Sequence, residues 1–521
     1  MKKLFTLLFV AMTALTGMAD TYNGPLHIDV NGATVDQTTD ITIEKQADGN
    51  YTLKLMKFKF TLGITMNVGN IIITDVPAVS NGQTLMLKAK KNIAITGGSM
   101  DLMLKSVPID MIGELRDGDF YANINISMAM KNIKVTFGTA KYQLPNAGFE
   151  TYHTATVTSP DDPNDKATSD EPNYWHSFMS ASGPLVYYAG YNPVTFKCND
   201  VRPGSTGKQS LMLKSFNAFI AIANGTITTG RMNTGDVIAS NTDANYAWSD
   251  MSNTDKDAHG DPFYATLYSM PDAMKVWLKF KQGTHNADHP YATATAIIND
   301  GTEFHEPAPS ETTYTNVVGE ARNAKIAETG DEWKEFTIPF SYDAFAQYGA
   351  KAKSVLVTLS TNADAGQGSD GDLLYVDDLS FVYNAGLKAI TLTADNGEVF
   401  TVNNVNSETK EYTATVPFDV TAQNLKAVSD GKGAYVNTTI ADGKATIEIT
   451  SNDLATTNVY TLNIKKGDAQ GITSGINGAQ AAQAQAAGIY TIGGMRVNAI
   501  TKPGLYIVKG ADGSVKKVLK K

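Results

Sequence analysis

A tryptophan flanked by lysines is the clearest sign of ligand-binding chemistry in this sequence. Residues 274–281 alternate between apolar and other residues, which predicts a β-strand with one apolar face. The other face carries Trp277 together with Lys275, Lys279 and Lys281. A flat indole can cover the C–H surface of a sugar ring while polar groups at its rim bond the hydroxyls. The pattern predicts a saccharide platform; the alternative is that Trp277 packs beneath a long loop.

Further aromatic residues could extend such a platform. Tyr187, Tyr188 and Tyr191 are close together in one segment, and Trp175 and Trp248 flank it in the chain. Each ring could supply a stacking face for a sugar. The alternative for each ring is a place in the hydrophobic core.

No familiar catalytic or metal-binding motif accompanies these aromatics. The chain contains no His-Glu-x-x-His, no Cys-x-x-Cys and no Gly-x-Ser-x-Gly. His285 and His289 are four residues apart, but Gly283 and Pro290 beside them indicate a loop. Paired carboxylates for glycoside hydrolysis are defined by their distance in space, which the sequence does not reveal. The sequence therefore favours a binding protein over an enzyme and leaves hydrolysis open.

The N-terminus has the order of charges and apolar residues that is typical of a secretory signal. Lys2 and Lys3 precede an apolar run over residues 4–15, and Gly17-Met18-Ala19 supplies small residues for cleavage. We expect residues 1–19 to be a signal peptide and the mature protein to be secreted or held at the outer cell surface. The only cysteine is Cys198, so an intrachain disulfide is excluded and large cores must stabilise the fold.

The net charge and the hydropathy of the chain limit the kinds of partner that the protein could bind. The formal net charge is -10 at pH 7, which argues against a nucleic-acid partner because phosphate neutralisation needs clustered cations. Beyond the signal segment the sequence shows no apolar run of about twenty residues, so we expect no transmembrane segment in the mature chain.

Residues 20–140 show short alternating strands separated by turn signals such as Asp48-Gly49 and Asp117-Gly118. The Tyr22-x-Gly24 opening and the segment 68–71, Val-Gly-Asn-Ile, resemble the calycin-like β-barrel family of exported proteins. The resemblance implies a lipocalin-like or calycin-like antiparallel barrel.

Residues 141–384 begin and end with elements that resemble jelly-roll carbohydrate-binding modules. The first is Asn146-Ala147-Gly148-Phe149-Glu150, and the last is Val376-Asp377-Asp378; the insert-rich middle resembles the family of carbohydrate metabolism domains. The resemblance implies a β-jelly-roll sandwich that contacts glycan. It also implies a structural calcium held by Glu150 and Asp378, and the alternative is that Glu150 bonds backbone amides.

The sequence of the remaining chain predicts three smaller parts. Residues 385–466 are similar to an immunoglobulin-like or cadherin-like β-sandwich used as a spacer. Residues 467–487 are rich in Gly, Ser, Ala and Gln, which is typical of a flexible linker. Residues 488–521 resemble the C-terminal sorting domain of type IX secretion, which implies the outer-surface secretion machinery as a partner; the alternative is an ordinary hairpin module.

The sequence as a whole predicts an all-β, multidomain exported protein. The leading hypothesis is glycan binding by the central jelly roll through exposed aromatics. One alternative is a glycoside hydrolase or lyase with an unrecognised site in the central segment. Another is a non-catalytic adhesin or structural surface protein whose N-terminal barrel binds an apolar or protein ligand. Apart from the calcium ion, we expect no cofactor.

Overall fold

The computed structural model of the chain describes residues 19–99, 104–128, 131–218, 221–475, 488–491, 496–497, 500, 504–509 and 515–520. Within these residues nearly all regular structure is β-strand, which confirms the predicted fold class. None of the helices in the described residues is long and apolar enough to cross a bilayer. The predicted signal peptide lies outside the described residues except for Ala19.

The chain divides into two compact units. The first ends at Lys388 but also takes in Val428–Asn437 and Ile447–Tyr460, while the second comprises Ala389–Ala427, Thr438–Thr446 and Thr461–Lys521.

The N-terminal part of the first unit is a nine-stranded antiparallel sheet with the order β4-β3-β2-β1-β9-β8-β7-β6-β5. Tight turns join its strands; Gly49 and Gly118 adopt positive φ angles of 90° and 68° in the predicted Asp-Gly turns. Backbone hydrogen bonds between Asn70 and Thr96 draw β4 toward the segment after β6. The strands are β1 (Ala19–Val30), β2 (Ala33–Lys45), β3 (Tyr51–Leu62), β4 (Ile64–Val76), β5 (Ala78–Ser80), β6 (Leu85–Ile93), β7 (Val107–Arg116), β8 (Asp119–Met128) and β9 (Lys131–Phe137).

Alternation fills the concave side of this sheet with apolar side chains. Leu26 and Ile28 of β1 are 1% exposed, and Leu87 and Met111 are fully buried. Together with aliphatic and phenylalanine side chains from the other strands they form one continuous core cluster. Burial of apolar surface therefore stabilises this half-barrel sheet.

The central part of the first unit contains the next strands, one short α-helix and two 3-10 helices. They are β10 (Tyr152–Thr158), β11 (Lys166–Pro172), η1 (Phe178–Ser180), α1 (Val186–Gly190), β12 (Thr195–Cys198), β13 (Ser210–Lys214), β14 (Phe216–Asn217), β15 (Ile222–Ala223), β16 (Thr226–Thr228), β17 (Arg231–Thr234), β18 (Asn245–Trp248), β19 (Ala265–Thr266), β20 (Ala273–Lys281), β21 (Ala292–Asn299), β22 (His305–Glu306), β23 (Val317–Ile326), β24 (Lys334–Pro339), η2 (Ala346–Tyr348), β25 (Ser354–Ser360) and β26 (Leu373–Val382).

Two five-stranded sheets form the central sandwich. One has the order β12-β13-β26-β20-β24, and the other has the order β16-β25-β21-β23 with β19 paired to β25. Val276 and Leu278 from the first sheet and Ala296 and Val357 from the second are fully buried in one shared core. Three further strands, β17, β18 and β22, form a small antiparallel sheet beside the sandwich.

The rest of the chain continues as short strands. The predicted linker is partly wrong: its residues 472–475 form a strand that pairs with Val399–Val402, whereas residues 476–487 lie outside the described residues. Glu411–Val416 pairs in parallel with residues 461–466. The strands are β27 (Leu387–Thr393), β28 (Val399–Val402), β29 (Glu411–Val416), β30 (Leu425–Ser429), β31 (Tyr435–Ala441), β32 (Lys444–Thr450), β33 (Thr457–Lys466), β34 (Ile472–Gly475), β35 (Gly488–Thr491), β36 (Arg496–Val497), β37 (Gly504–Lys509) and β38 (Val515–Lys520).

Candidate functional site

Trp277 lies on the outer face of the first central sheet, as the alternation of β20 predicts. Arg202 covers part of its ring, with the guanidinium carbon 5.4 Å from the ring centroid. The indole is half-buried as a result. Lys275, on the same face, has its ammonium 2.9 Å from a carboxylate oxygen of Glu335 on the neighbouring strand. Trp277 therefore offers a ligand the edge of its indole ring and one face that Arg202 partly covers.

Lys279 does not lie at a hydrated rim, and this part of the prediction is wrong. Its side chain is buried and donates to the carboxylate of Asp200. The ammonium lies 4.2 Å from the ring centroid of Tyr375, and the indole N–H of Trp333 donates to Asp200 at 3.1 Å. The hydrogen bond from Lys279 lowers the pKa of Asp200 more than any other contact does. Lys279 thus belongs to a packed ionic cluster.

The three predicted tyrosines come together on and beside α1. The ring centroid of Tyr187 lies 5.5 Å from that of Tyr188 and 5.3 Å from that of Tyr191. Tyr187 donates its hydroxyl to Asp165, whereas Tyr188 and Tyr191 are 58% and 47% exposed. The structure therefore presents an exposed aromatic cluster here, on a different element from Trp277.

The two remaining tryptophans have different surroundings. Trp175 is fully buried against Phe149, with ring centroids 5.1 Å apart, so it has no face for a surface ligand and the prediction of a binding role is wrong. Its indole N–H donates to the carbonyl of Pro145 at 3.3 Å. Trp248 is half-buried on β18, where its backbone pairs with His305 of β22.

The two residues predicted to hold calcium face hydrogen-bond donors. Glu150 accepts from the backbone amides of Lys208 and Gln209, at 3.0 and 3.3 Å, and Asp378 is paired with the guanidinium of Arg202 at 2.6 Å. A calcium ion needs about six to eight oxygen ligands. No group of three or more His, Cys, Asp and Glu residues in the described part of the chain is arranged to hold a metal. These side chains therefore do not fit the ion.

Asp377, next to Asp378, is a buried carboxylate with an incomplete set of partners. It is fully buried, and one oxygen accepts the backbone N–H of Arg202 at 2.9 Å. The other oxygen has no hydrogen-bond partner. Burial, assisted by the charge of Asp378, raises the pKa of Asp377 to about 6.

Two histidines face two buried carboxylates in a cluster that includes His153 of β10 and Glu171 of β11. The Nε2 atoms of His153 and His176 lie 3.5 and 3.3 Å from one oxygen of Asp257, and that of His153 lies 3.7 Å from Glu171. Burial alone would raise the pKa of Asp257. The imidazole of His176, the backbone amide of Asp261 and the charge of His153 outweigh it and hold that pKa at about 2.

An open cleft beside the second central sheet combines aromatic rings with charged groups, and the sequence patterns did not point to it. Its volume is about 290 Å³. Arg322 of β23 lies 2.7 Å from Glu306 of β22 and also bonds Glu320 on its own strand. The residues around it are Ile297, Phe304, Glu306, Ala308, Thr312, Thr313, Tyr314, Val317, Glu320, Arg322, Ala344, Phe345 and Tyr348.

The aromatic side of the cleft rests on packed structure. Tyr314 and Phe345 pack against a small core that includes Phe304, and the ring centroids of Phe304 and Tyr314 are 4.8 Å apart. Tyr348, at the end of η2, is 37% exposed. The cleft therefore has three rings that belong to this core or pack against it, those of Phe304, Tyr314 and Phe345, and the partly exposed ring of Tyr348.

The ionic side of the cleft is also fixed by its surroundings. Burial raises the pKa of Glu306, and the nearby Arg322 only partly opposes this effect. Burial would lower the pKa of Arg322, but its two carboxylate partners raise it overall. The guanidinium is thus held between two glutamates and can orient both.

A second cavity, of about 520 Å³, lies at one end of the N-terminal barrel. Tyr22, Phe120 and Phe137 contribute rings to it, while Asp119 and Lys141 contribute opposite charges that are 3.0 Å apart. Its lining mixes polar and aromatic groups, which does not favour a purely apolar ligand.

Comparison with known proteins identifies one part of the chain. Residues 18–140 match the family model of the calycin-like β-barrel domain, which confirms the resemblance predicted for the N-terminal segment. The resemblances predicted for the central segment, the third segment and the C-terminal tail stay predictions.

Similarity to individual proteins is low. No curated protein matches the chain. A solved structure described as a candidate glycoside hydrolase from Bacteroides thetaiotaomicron is 15% identical, with a TM-score of 0.33, over 64% of this chain and 97% of that one. A structure of infectious bursal disease virus, Gx strain, is 10% identical, with a TM-score of 0.16, over 69% of this chain and 70% of that one. TM-scores this low carry no argument about function.

Proposed function

We propose that this protein is a non-catalytic glycan-binding protein that acts at the outer cell surface or after secretion. The cleft formed by Tyr314, Phe345, Tyr348 and the Arg322 ion network is the observation that carries the proposal. The location rests on the predicted signal peptide and sorting tail.

The chemistry of the cleft suits a sugar ring. Saccharides present C–H faces that pack on aromatic rings, and hydroxyls that need both donors and acceptors. Tyr348 supplies an exposed ring, and Arg322, Glu306 and Glu320 supply fixed donors and acceptors. An open cleft also admits one portion of a long polysaccharide, which an enclosed cavity would exclude.

The surfaces predicted from the sequence can serve as additional contacts. Tyr188 and Tyr191 are exposed, and Trp277 keeps a partly open face beside Lys275. Their role in glycan binding stays a prediction. Because they lie on or beside α1 and on β20, single variants can separate their contribution from that of the cleft.

One observation favours hydrolysis as a second candidate function. Glycoside hydrolases use two carboxyl groups, and the general acid among them has a raised pKa. Glu306 and Glu320 flank one guanidinium, and burial raises the pKa of Glu306. Against this function, Arg322 pairs with both carboxylates and stabilises their charged forms.

A glycan array probed with the wild-type protein, Tyr348→Ala and Trp277→Ala tests the proposal. We expect saccharide binding by the wild type, loss of binding in Tyr348→Ala and an almost unchanged melting temperature for that variant, because its ring is partly exposed. Loss in Trp277→Ala with retention in Tyr348→Ala would place binding on the sheet face instead. An array without any bound saccharide would refute the function.

Release of reducing sugar from the polysaccharides that bind tests the second candidate. The non-catalytic proposal expects no release from the wild type. Release that disappears in Glu306→Gln would establish hydrolysis and overturn the non-catalytic proposal.

A further inference from the structure

The positive and negative charges of the residues that line the cleft do not sum to zero. Glu306 and Glu320 each contribute a carboxylate, and Arg322 contributes the cation among the lining residues. With both glutamates ionised, the lining has one more negative charge than positive. A ligand in this cleft therefore meets a surface of negative sign.

Arg322 is already engaged by both glutamates. One guanidinium nitrogen lies 2.7 Å from Glu306, and another donates to Glu320. A sugar carboxylate that bound a remaining N–H of this guanidinium would come close to the carboxylates of both glutamates. The side chain of Glu306 is only 16% exposed, so solvent screens its charge poorly.

We infer that the cleft selects sugars without a carboxylate, whether neutral or amino sugars, and rejects uronic and sialic acids. The inference rests on the proposed glycan-binding function and defines its ligand class. A sugar carboxylate meets like charge from two glutamates, whereas a hydroxyl can accept from Arg322 and donate to either glutamate. A protonated amine gains attraction from the same charges.

Matched ligands test the selectivity. The full-length protein is titrated with cellohexaose, mannohexaose and chitohexaose, and with the same oligosaccharides after oxidation of C6 hydroxyls to carboxylates. For each neutral oligosaccharide that binds, we expect at least tenfold weaker binding of its oxidised counterpart. Equal or tighter binding of the oxidised forms would overturn the selectivity while leaving glycan binding intact. If neither form of any oligosaccharide binds and the glycan array is also empty, the proposed function itself is refuted.

Glu320→Gln tests whether charge causes the discrimination. The variant balances the lining charge, so we expect the ratio of neutral to oxidised affinity to fall several-fold. The same ratio in the wild type should fall when salt is raised from 0.1 to 1 M, because the Debye length shortens from about 10 to about 3 Å. This second measurement needs no variant. A ratio unchanged by both treatments would show that shape, not charge, excludes the carboxylate and would overturn the inference.

Discussion

Replacement of Asp377 by asparagine should stabilise the central sandwich at neutral pH. The carboxylate is fully buried, one of its oxygens has no hydrogen-bond partner, and its pKa is raised from 3.8 to about 6. Because the folded state binds this proton more tightly than the unfolded state does, the group's contribution to stability is greatest below about pH 4. That contribution is lost as pH rises through about 6.

The size of the effect follows from the shift in pKa. A shift of about two units at about 1.4 kcal/mol per unit corresponds to roughly 3 kcal/mol as an upper limit. Asparagine keeps an acceptor for the backbone N–H of Arg202 and removes the buried charge. We therefore expect Asp377→Asn to gain up to roughly 3 kcal/mol in free energy of unfolding at pH 7.5 and to gain little at pH 4.

Urea unfolding monitored by tryptophan fluorescence is the appropriate assay. All four tryptophans, at positions 175, 248, 277 and 333, lie in the central segment, so their emission reports on this part of the chain. Asp331→Asn is the matched control, since the side chain of Asp331 is 94% exposed. An equal effect of Asp377→Asn at pH 4 and 7.5, or destabilisation at pH 7.5, would refute the reasoning.

Three other variants or conditions probe the rest of the structure. Trp175→Ala should cost about 3 to 5 kcal/mol in unfolding free energy, because it leaves a cavity beside Phe149; a loss below about 1 kcal/mol would contradict the core role. Asp257→Asn should lose about 2 kcal/mol at pH 7, and the difference from wild type should shrink as pH falls from about 4 toward 2, since the pKa of Asp257 is lowered from 3.8 to about 2. A difference that stays constant over this pH range would contradict the stabilisation of the Asp257 carboxylate by His153 and His176. Excess chelator should leave the melting temperature unchanged because Glu150 and Asp378 bond donors; a drop would restore the calcium prediction.

Much of the fold followed from local patterns. Alternation in β20 correctly placed Val276 and Leu278 in the core and Trp277 outside, because a strand's side chains alternate regardless of what packs against it. The turn glycines Gly49 and Gly118 likewise marked real strand ends. The burial of Trp175 could not be predicted from local pattern. This residue follows β11 in an irregular segment, where apolar and polar residues do not alternate regularly. Only the packed structure shows that this segment brings the indole against Phe149.

The cleft could not be predicted in the same way. Glu306, Arg322 and Tyr348 are on separate elements, β22, β23 and η2, and no spacing along the chain links them. β22 and β23 belong to different sheets, so tertiary packing rather than strand pairing brings Glu306 and Arg322 together. The packing of η2 on β23 adds the aromatic wall. A similar reason explains Lys279: its alternation was correct, but the cross-strand position of Tyr375 and the loop carrying Asp200 enclose its ammonium.

A crystal structure of the protein soaked with the saccharide that binds best on the array would test glycan binding by the cleft most directly. We expect the sugar to lie against Tyr348, between the aromatic wall and the Arg322 ion network. A sugar seated on the Trp277 face or at the exposed tyrosines of α1, with the cleft empty, would contradict the account.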